Sequence, residues 1–168
     1  MKPQPRGFTL IELLIVLAII ALVGTFAAVA VNSARSKQRD ATRLSNVRQL
    51  QSALEDYFNE NNAYPVGTTL PIGDPSQSAC LSLEGFRADC STESAVFLQV
   101  APATYEDGLK GVVTCGEPKR NAFCYSQFKE GEQYGIQFEI ENALTSVGLQ
   151  KGVNCVSPIG MKAGPCTE

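Results

Sequence analysis

No histidine and no tryptophan occur among the 168 residues. The missing imidazole removes the Ser-His-Asp and Cys-His nucleophile systems, the HExxH zinc site and every histidine acid-base scheme at once. The GxSxG elbow, the P-loop and the dinucleotide-binding glycine fingerprint are absent as well. Neighbouring acids such as Glu106-Asp107, or Glu130 and Glu132, read as solvated surface charge rather than as a catalytic pair. No enzymatic activity is expected, and no cofactor. The chain length suits one modest domain with an apolar segment attached.

Charge is unevenly spread. The net charge is −3, yet seven basic residues (Lys2, Arg6, Arg35, Lys37, Arg39, Arg43 and Arg48) lie in the first 50 positions against only two acids, Glu12 and Asp40. Beyond position 50, seven basic residues face 15 acidic ones. That part of the chain repels nucleic acid on average, so the sequence carries no strong nucleic-acid signal.

From Leu13 to Val31 the chain has 19 residues without a charge. As a helix this run spans roughly 28 Å, which matches the hydrocarbon core of a bilayer. A buried core helix is the plainer reading, but a small domain seldom covers a helix that is apolar all round. A secretory signal peptide is a second alternative, with Lys2 and Arg6 as its positive region and Ala28-Val29-Ala30 as a small-x-small cleavage site. Glu12 argues against it, because a carboxylate deep in such a segment opposes insertion by up to about 3 kcal/mol. An acid there is by default a functional group in need of a partner.

A cut after Gly7 would supply that partner. The new terminus would be the Phe8 amine, a cation near neutral pH, one helical turn from Glu12. The pair could form within one chain or between two chains stacked with an axial offset. In the second case the acid fixes the register of packed apolar helices, as buried polar groups do in coiled coils.

Gly7-Phe8-Thr9-Leu10-Ile11-Glu12 followed by an apolar run resembles the processing site of type IV pilins and of type II secretion pseudopilins. The resemblance implies cleavage between Gly7 and Phe8 by a prepilin peptidase, with Gly7 as the required leader residue. It also implies N-methylation of Phe8, storage in the lipid bilayer, and extraction by a pilus or secretion assembly platform into a helical filament of identical or related subunits, with Glu12 promoting docking. The fold it implies is α+β: one long N-terminal helix, transmembrane and then amphipathic, packed on a small antiparallel sheet with a disulfide-bonded C-terminal loop. The expected divisions are a leader at 1–7, a membrane or filament-core helix at 8–31, an amphipathic helix at 32–62 and a disulfide-rich head at 63–168.

After Val31 no proline occurs until Pro65, and Leu44, Val47, Leu50, Leu54, Tyr57 and Phe58 form one apolar stripe at helical spacing. Asn59 to Asn62 and Tyr64-Pro65 supply the stop. A single helix from about Phe8 to about Asn61 would be on the order of 80 Å long. Most pilins have a proline near the position of Val29; its absence leaves Gly24-Thr25 as the weak point. The basic cluster Arg35 to Arg48 reads first as a solvated stretch near lipid headgroups, and in a filament it would face acids of neighbouring subunits. Residues 65–100 read as loop with one short helix around Ser94 to Val100. Val112 to Cys115, Ala122 to Phe128 and Tyr134 to Ile140 carry strand signals.

Cys80, Cys90, Cys115, Cys124, Cys155 and Cys166 contain no CxxC pair and have no histidine beside them, which disfavours zinc and favours disulfides in an oxidising compartment. Six cysteines allow 15 pairings. The sequential set is the expected one, because Cys115 and Cys124 flank a turn-rich stretch and Cys155 and Cys166 bracket a Pro/Gly-rich tail. The latter is similar to the C-terminal disulfide loop of many type IV pilins. Major pseudopilins often hold this region with calcium bound by aspartates, but no aspartate follows Asp107, so no metal is expected.

Lys2 and Arg6 favour a cytoplasmic N-terminus while Arg35, Lys37, Arg39 and Arg43 pull the other flank inward. The cysteines decide for a C-terminus outside the inner membrane, and the resemblance implies an extracellular pilus after assembly. The leading reading is a pilin whose filament serves adhesion, motility or DNA uptake. A pseudopilin driving protein export and a membrane-anchored extracellular binding domain are the alternatives.

Overall fold

The computed structural model describes residues 7–104 and 106–167. The expected leader, with Lys2 and Arg6, lies outside them except for Gly7. The chain divides into two compact units, Met1–Ser36 and Lys37–Glu168. Helix α1, Leu10–Asn61, contributes to both.

In the first unit α1 is helical without a break through Gly24-Thr25, and every side chain from Leu10 to Arg35 is exposed. Thr25 Oγ1 donates back to the Leu22 carbonyl at 2.7 Å, so its hydroxyl is satisfied inside the helix. Among the described residues this is the one helix long and apolar enough to cross a membrane.

In the second unit the predicted stripe is buried: Val47, Leu50, Leu54 and Tyr57 face inward, with Leu44 and Phe58 packed at the margin. Burying a leucine such as Leu54 in this way stabilises by about 1.5–3 kcal/mol. The helix ends where Asn62 takes a left-handed φ of 53°, a conformation asparagine tolerates, and its N–H donates to the Phe58 carbonyl at 2.8 Å.

Opposite the stripe lies an antiparallel sheet in the order β1-β7-β8-β9-β10. Its strands are β1 (Leu70–Ile72), β7 (Phe123–Phe128), β8 (Gln133–Ile140), β9 (Gly152–Ser157) and β10 (Gly160–Ala163). Along β8 the residues Tyr134, Ile136, Phe138 and Ile140 alternate into the core against α1. The intervening positions face the other side, where Val113, Cys115, Ala122 and Cys124 form a second cluster with Val153 against it. A three-stranded sheet, β3-β2-β4, is built from β2 (Cys80–Ser82), β3 (Gly85–Arg87) and β4 (Val96–Leu98). A two-stranded hairpin joins β5 (Thr114–Cys115) to β6 (Arg120–Asn121).

Two segments differ from the sequence reading. The helix expected around Ser94 to Val100 is instead strand β4, because Leu98 pairs with Leu81 and the β-branched and aromatic side chains of Val96 and Phe97 suit a half-buried sheet. The Pro/Gly-rich tail is a hairpin, β9 paired to β10 from Gly160↔Ser157 to Ala163↔Asn154. The disulfides join Cys80 to Cys90, Cys115 to Cys124 and Cys155 to Cys166. The last lies over Gly135, where an added Cβ would stand 2.8 Å from Cys166 Sγ and 2.9 Å from the Phe128 ring.

The basic cluster is not uniformly solvated. Arg43 is fully buried and donates to Asp40 Oδ1 at 2.9 Å, to Glu141 Oε1 at 2.8 Å and to the Asp107 carbonyl at 2.5 Å. Arg39 forks onto both oxygens of Glu141, at 2.7 and 2.6 Å. Asp40 in turn accepts the backbone N–H groups of Glu141 and Asn142. Together these bonds fasten the second-unit start of α1 to the end of β8, and two guanidiniums sharing carboxylates make their burial tolerable. Gly108, at φ +79°, leaves room for the Glu141 carboxylate, which a Cβ there would overlap.

Hydrogen bonds from Arg39, opposed by burial and reinforced by Arg43, hold the Glu141 carboxyl at about 2, below its ordinary 4.5. A depressed carboxylate stabilises the fold above the ordinary value and loses that contribution as pH falls through the folded one. Acid titration followed by circular dichroism should show a stability loss between pH 4.5 and 2, and Glu141→Gln should flatten it. Gly135→Ala should lower stability by about 1–3 kcal/mol through overpacking against the Cys155–Cys166 bridge, measured by thermal unfolding.

Candidate assembly and processing site

Gly7 is exposed, and a Cβ built on it meets nothing within 4 Å. No contact among the described residues therefore calls for glycine at this position. Phe8 is 89% exposed, and its backbone nitrogen is an amide for as long as Gly7 precedes it.

Thr9 and Glu12 are joined in a reciprocal N-cap. The Thr9 backbone N–H and hydroxyl both donate to Glu12 Oε2, at 2.9 and 2.8 Å, and the Glu12 N–H donates to Thr9 Oγ1 at 3.3 Å. The first helical bond, Leu13 N–H to the Thr9 carbonyl, closes at 3.3 Å. This is the capping-box geometry of a Thr-x-x-Glu sequence, which satisfies orphan donors and sets a negative charge against the positive end of the helix dipole. Only one oxygen of the Glu12 carboxylate is thus committed, Oε2, while Oε1 accepts no hydrogen bond among the described residues.

The carboxylate at the mouth of the apolar run therefore has a partner before any cut is made, and that partner is Thr9 rather than Phe8. The sequence reading treated Glu12 as a lone acid, although Thr9 three residues ahead of it is a legible capping signal. The remaining predicted site residues, the six cysteines, lie in the second unit and are all disulfide-bonded.

Residues 3–28 match the family described as the Prokaryotic N-terminal methylation motif. The chain is also similar to the Type IV major pilin protein PilA of Myxococcus xanthus (strain DK1622), with 45% identity over 68 residues, 38% of this chain. The matched part covers 29% of the length of that relative. No solved structure matches the chain.

Substituting Thr9→Val should remove the hydroxyl from the cap at a cost of about 0.5–2 kcal/mol. Amide exchange in detergent micelles should then accelerate at Leu10 to Glu12 and stay unchanged beyond Val16.

Proposed function

Taking the chain as a type IV pilin-like protein carrying a prepilin motif, we propose that it is a structural subunit stored in the inner membrane and polymerised into an extracellular helical filament. A prepilin peptidase cuts between Gly7 and Phe8, and the freed Phe8 amine becomes the docking cation. The observation that carries this reading is the apolar helix half with no cover of its own. Fourteen large apolar side chains from Leu10 to Val31 are exposed. Their burial is worth on the order of 20 kcal/mol, which only lipid or other copies can supply.

Glu12 then turns unspecific burial into a defined stack. Its Oε2 stays with the cap while Oε1 is open to the amine of an adjoining copy. A charge-assisted bond of that kind contributes about 1.5–3 kcal/mol, against the penalty of leaving the carboxylate unpaired in an apolar core. The lack of any internal contact at Gly7 supports an external reader for that residue, as cleavage requires.

Glu12→Ala should leave the membrane pool of the protein unchanged and reduce sheared fibres at least about tenfold, the equivalent of 1.4 kcal/mol per docking step. N-terminal sequencing of the fibre subunit should begin at Phe8. Fibre yield equal to that of the unaltered protein would refute the docking role of Glu12, and a terminus at Val31 would refute the processing.

A further inference from the structure

The outward face of α1 in the second unit carries charges sorted by sign. Lys37 and Arg48 lie toward its start, Asp56 and Glu60 toward its end, and all four are exposed. None of their side chains makes an ion pair or hydrogen bond among the described residues. At 100° per residue Lys37, Ser45, Arg48, Ser52 and Asp56 fall within an arc of about 100°, opposite the buried stripe. Arg39 and Arg43 of the same basic stretch point inward to Glu141. Within the second unit the helix thus uses two of its cations inside the fold and presents two others outward.

Single exposed charges are ordinary solvated groups and carry no argument. Their order along the axis does. Arg48 precedes Asp56 by eight residues, about 12 Å of helix, with Glu60 one turn further on. A parallel second copy raised by that distance sets its Arg48 beside the Asp56 of the lower copy. The same shift places its Lys37 opposite Ser45 of the lower copy and so avoids Arg48. The Phe8 amine meets a lower copy's Glu12 at an offset of only four residues, about 6 Å, so the two pairings fall on different neighbours in a stack of copies.

We propose that this face of α1 is a contact between parallel copies of the chain, with Arg48 of one copy paired to Asp56 of the next and the Asp56–Glu60 end as the acidic receptor. The inference rests on the filament reading and adds to it a second, polar register mark outside the apolar segment.

Charge reversal tests it on the full-length protein, in cells that carry the protein's own assembly machinery. Arg48→Glu and Asp56→Arg should each lower sheared fibre at least about fivefold, as expected for an exposed pair lost at every docking step. The double exchange, Arg48→Glu with Asp56→Arg, should restore fibre to within about twofold, while Lys151→Glu, an equal charge change on an exposed lysine of the head, should assemble normally. Extracted subunits should all melt alike, since the altered side chains are exposed. Normal fibre in either single variant, no rescue in the exchange, or equal loss with Lys151→Glu would overturn the contact while leaving the Glu12 docking intact. No fibre from the unaltered chain would overturn the filament reading and this contact with it.

Discussion

An apolar helix with no core of its own sets the terms for the whole molecule. From Leu10 to Val31 every side chain is exposed, and the hydrophobic driving force of this segment is left unspent on folding. On the proposed filament reading, lipid satisfies it as long as the subunit is alone. Other copies can satisfy it equally well, and exchange between these two apolar surroundings changes little in hydrophobic energy. Polar groups must then decide between them, which is why a carboxylate with one unoccupied oxygen outweighs its size.

The second unit is built to hold the other half of the same helix. The stripe Val47, Leu50, Leu54 and Tyr57 meets the inward residues of β8, while the opposite sheet face is closed by cystines and by Glu139, which accepts the N–H groups of Lys110 and Val112 at 2.7 and 2.9 Å. Both buried charges have partners: Arg43 donates to two carboxylates and a carbonyl, and Glu139 accepts from backbone amides. The polar cluster at Arg43 gives the docked helix a unique rotation, since turning it by one residue would strand a guanidinium in the core.

Periodicity made the second half of α1 legible, because five apolar residues from Leu44 to Tyr57 at steps of three and four outweigh any local preference. Its end was legible from Asn62 and Pro65, and β7 and β8 from their β-branched and aromatic content. The strands β1 to β4 were not, for three residues are too few to show alternation, and partners such as Leu81 and Leu98 are brought together by tertiary packing. The inward turn of Arg43 was equally hidden, since its partner Glu141 lies 98 residues away. Gly7, Phe8 and Glu12 stood out through the motif they share with relatives. Thr9 could have been found from spacing alone, but attention to Glu12 as an isolated charge in lipid masked the simpler local bond.

The three cystines close short spans, separated by 10, 9 and 11 residues, and none reaches α1. These cross-links therefore tighten peripheral loops and the terminal hairpin, while the docking of the head on its helix relies on packing, on the Arg43 cluster and on hydrogen bonds such as those of Gln51 to Ser157 and of Tyr64 to Glu55. Redox conditions at the cell envelope would then govern how ragged the coat of a fibre becomes, whereas the grip of each coat on its own shaft would survive reduction.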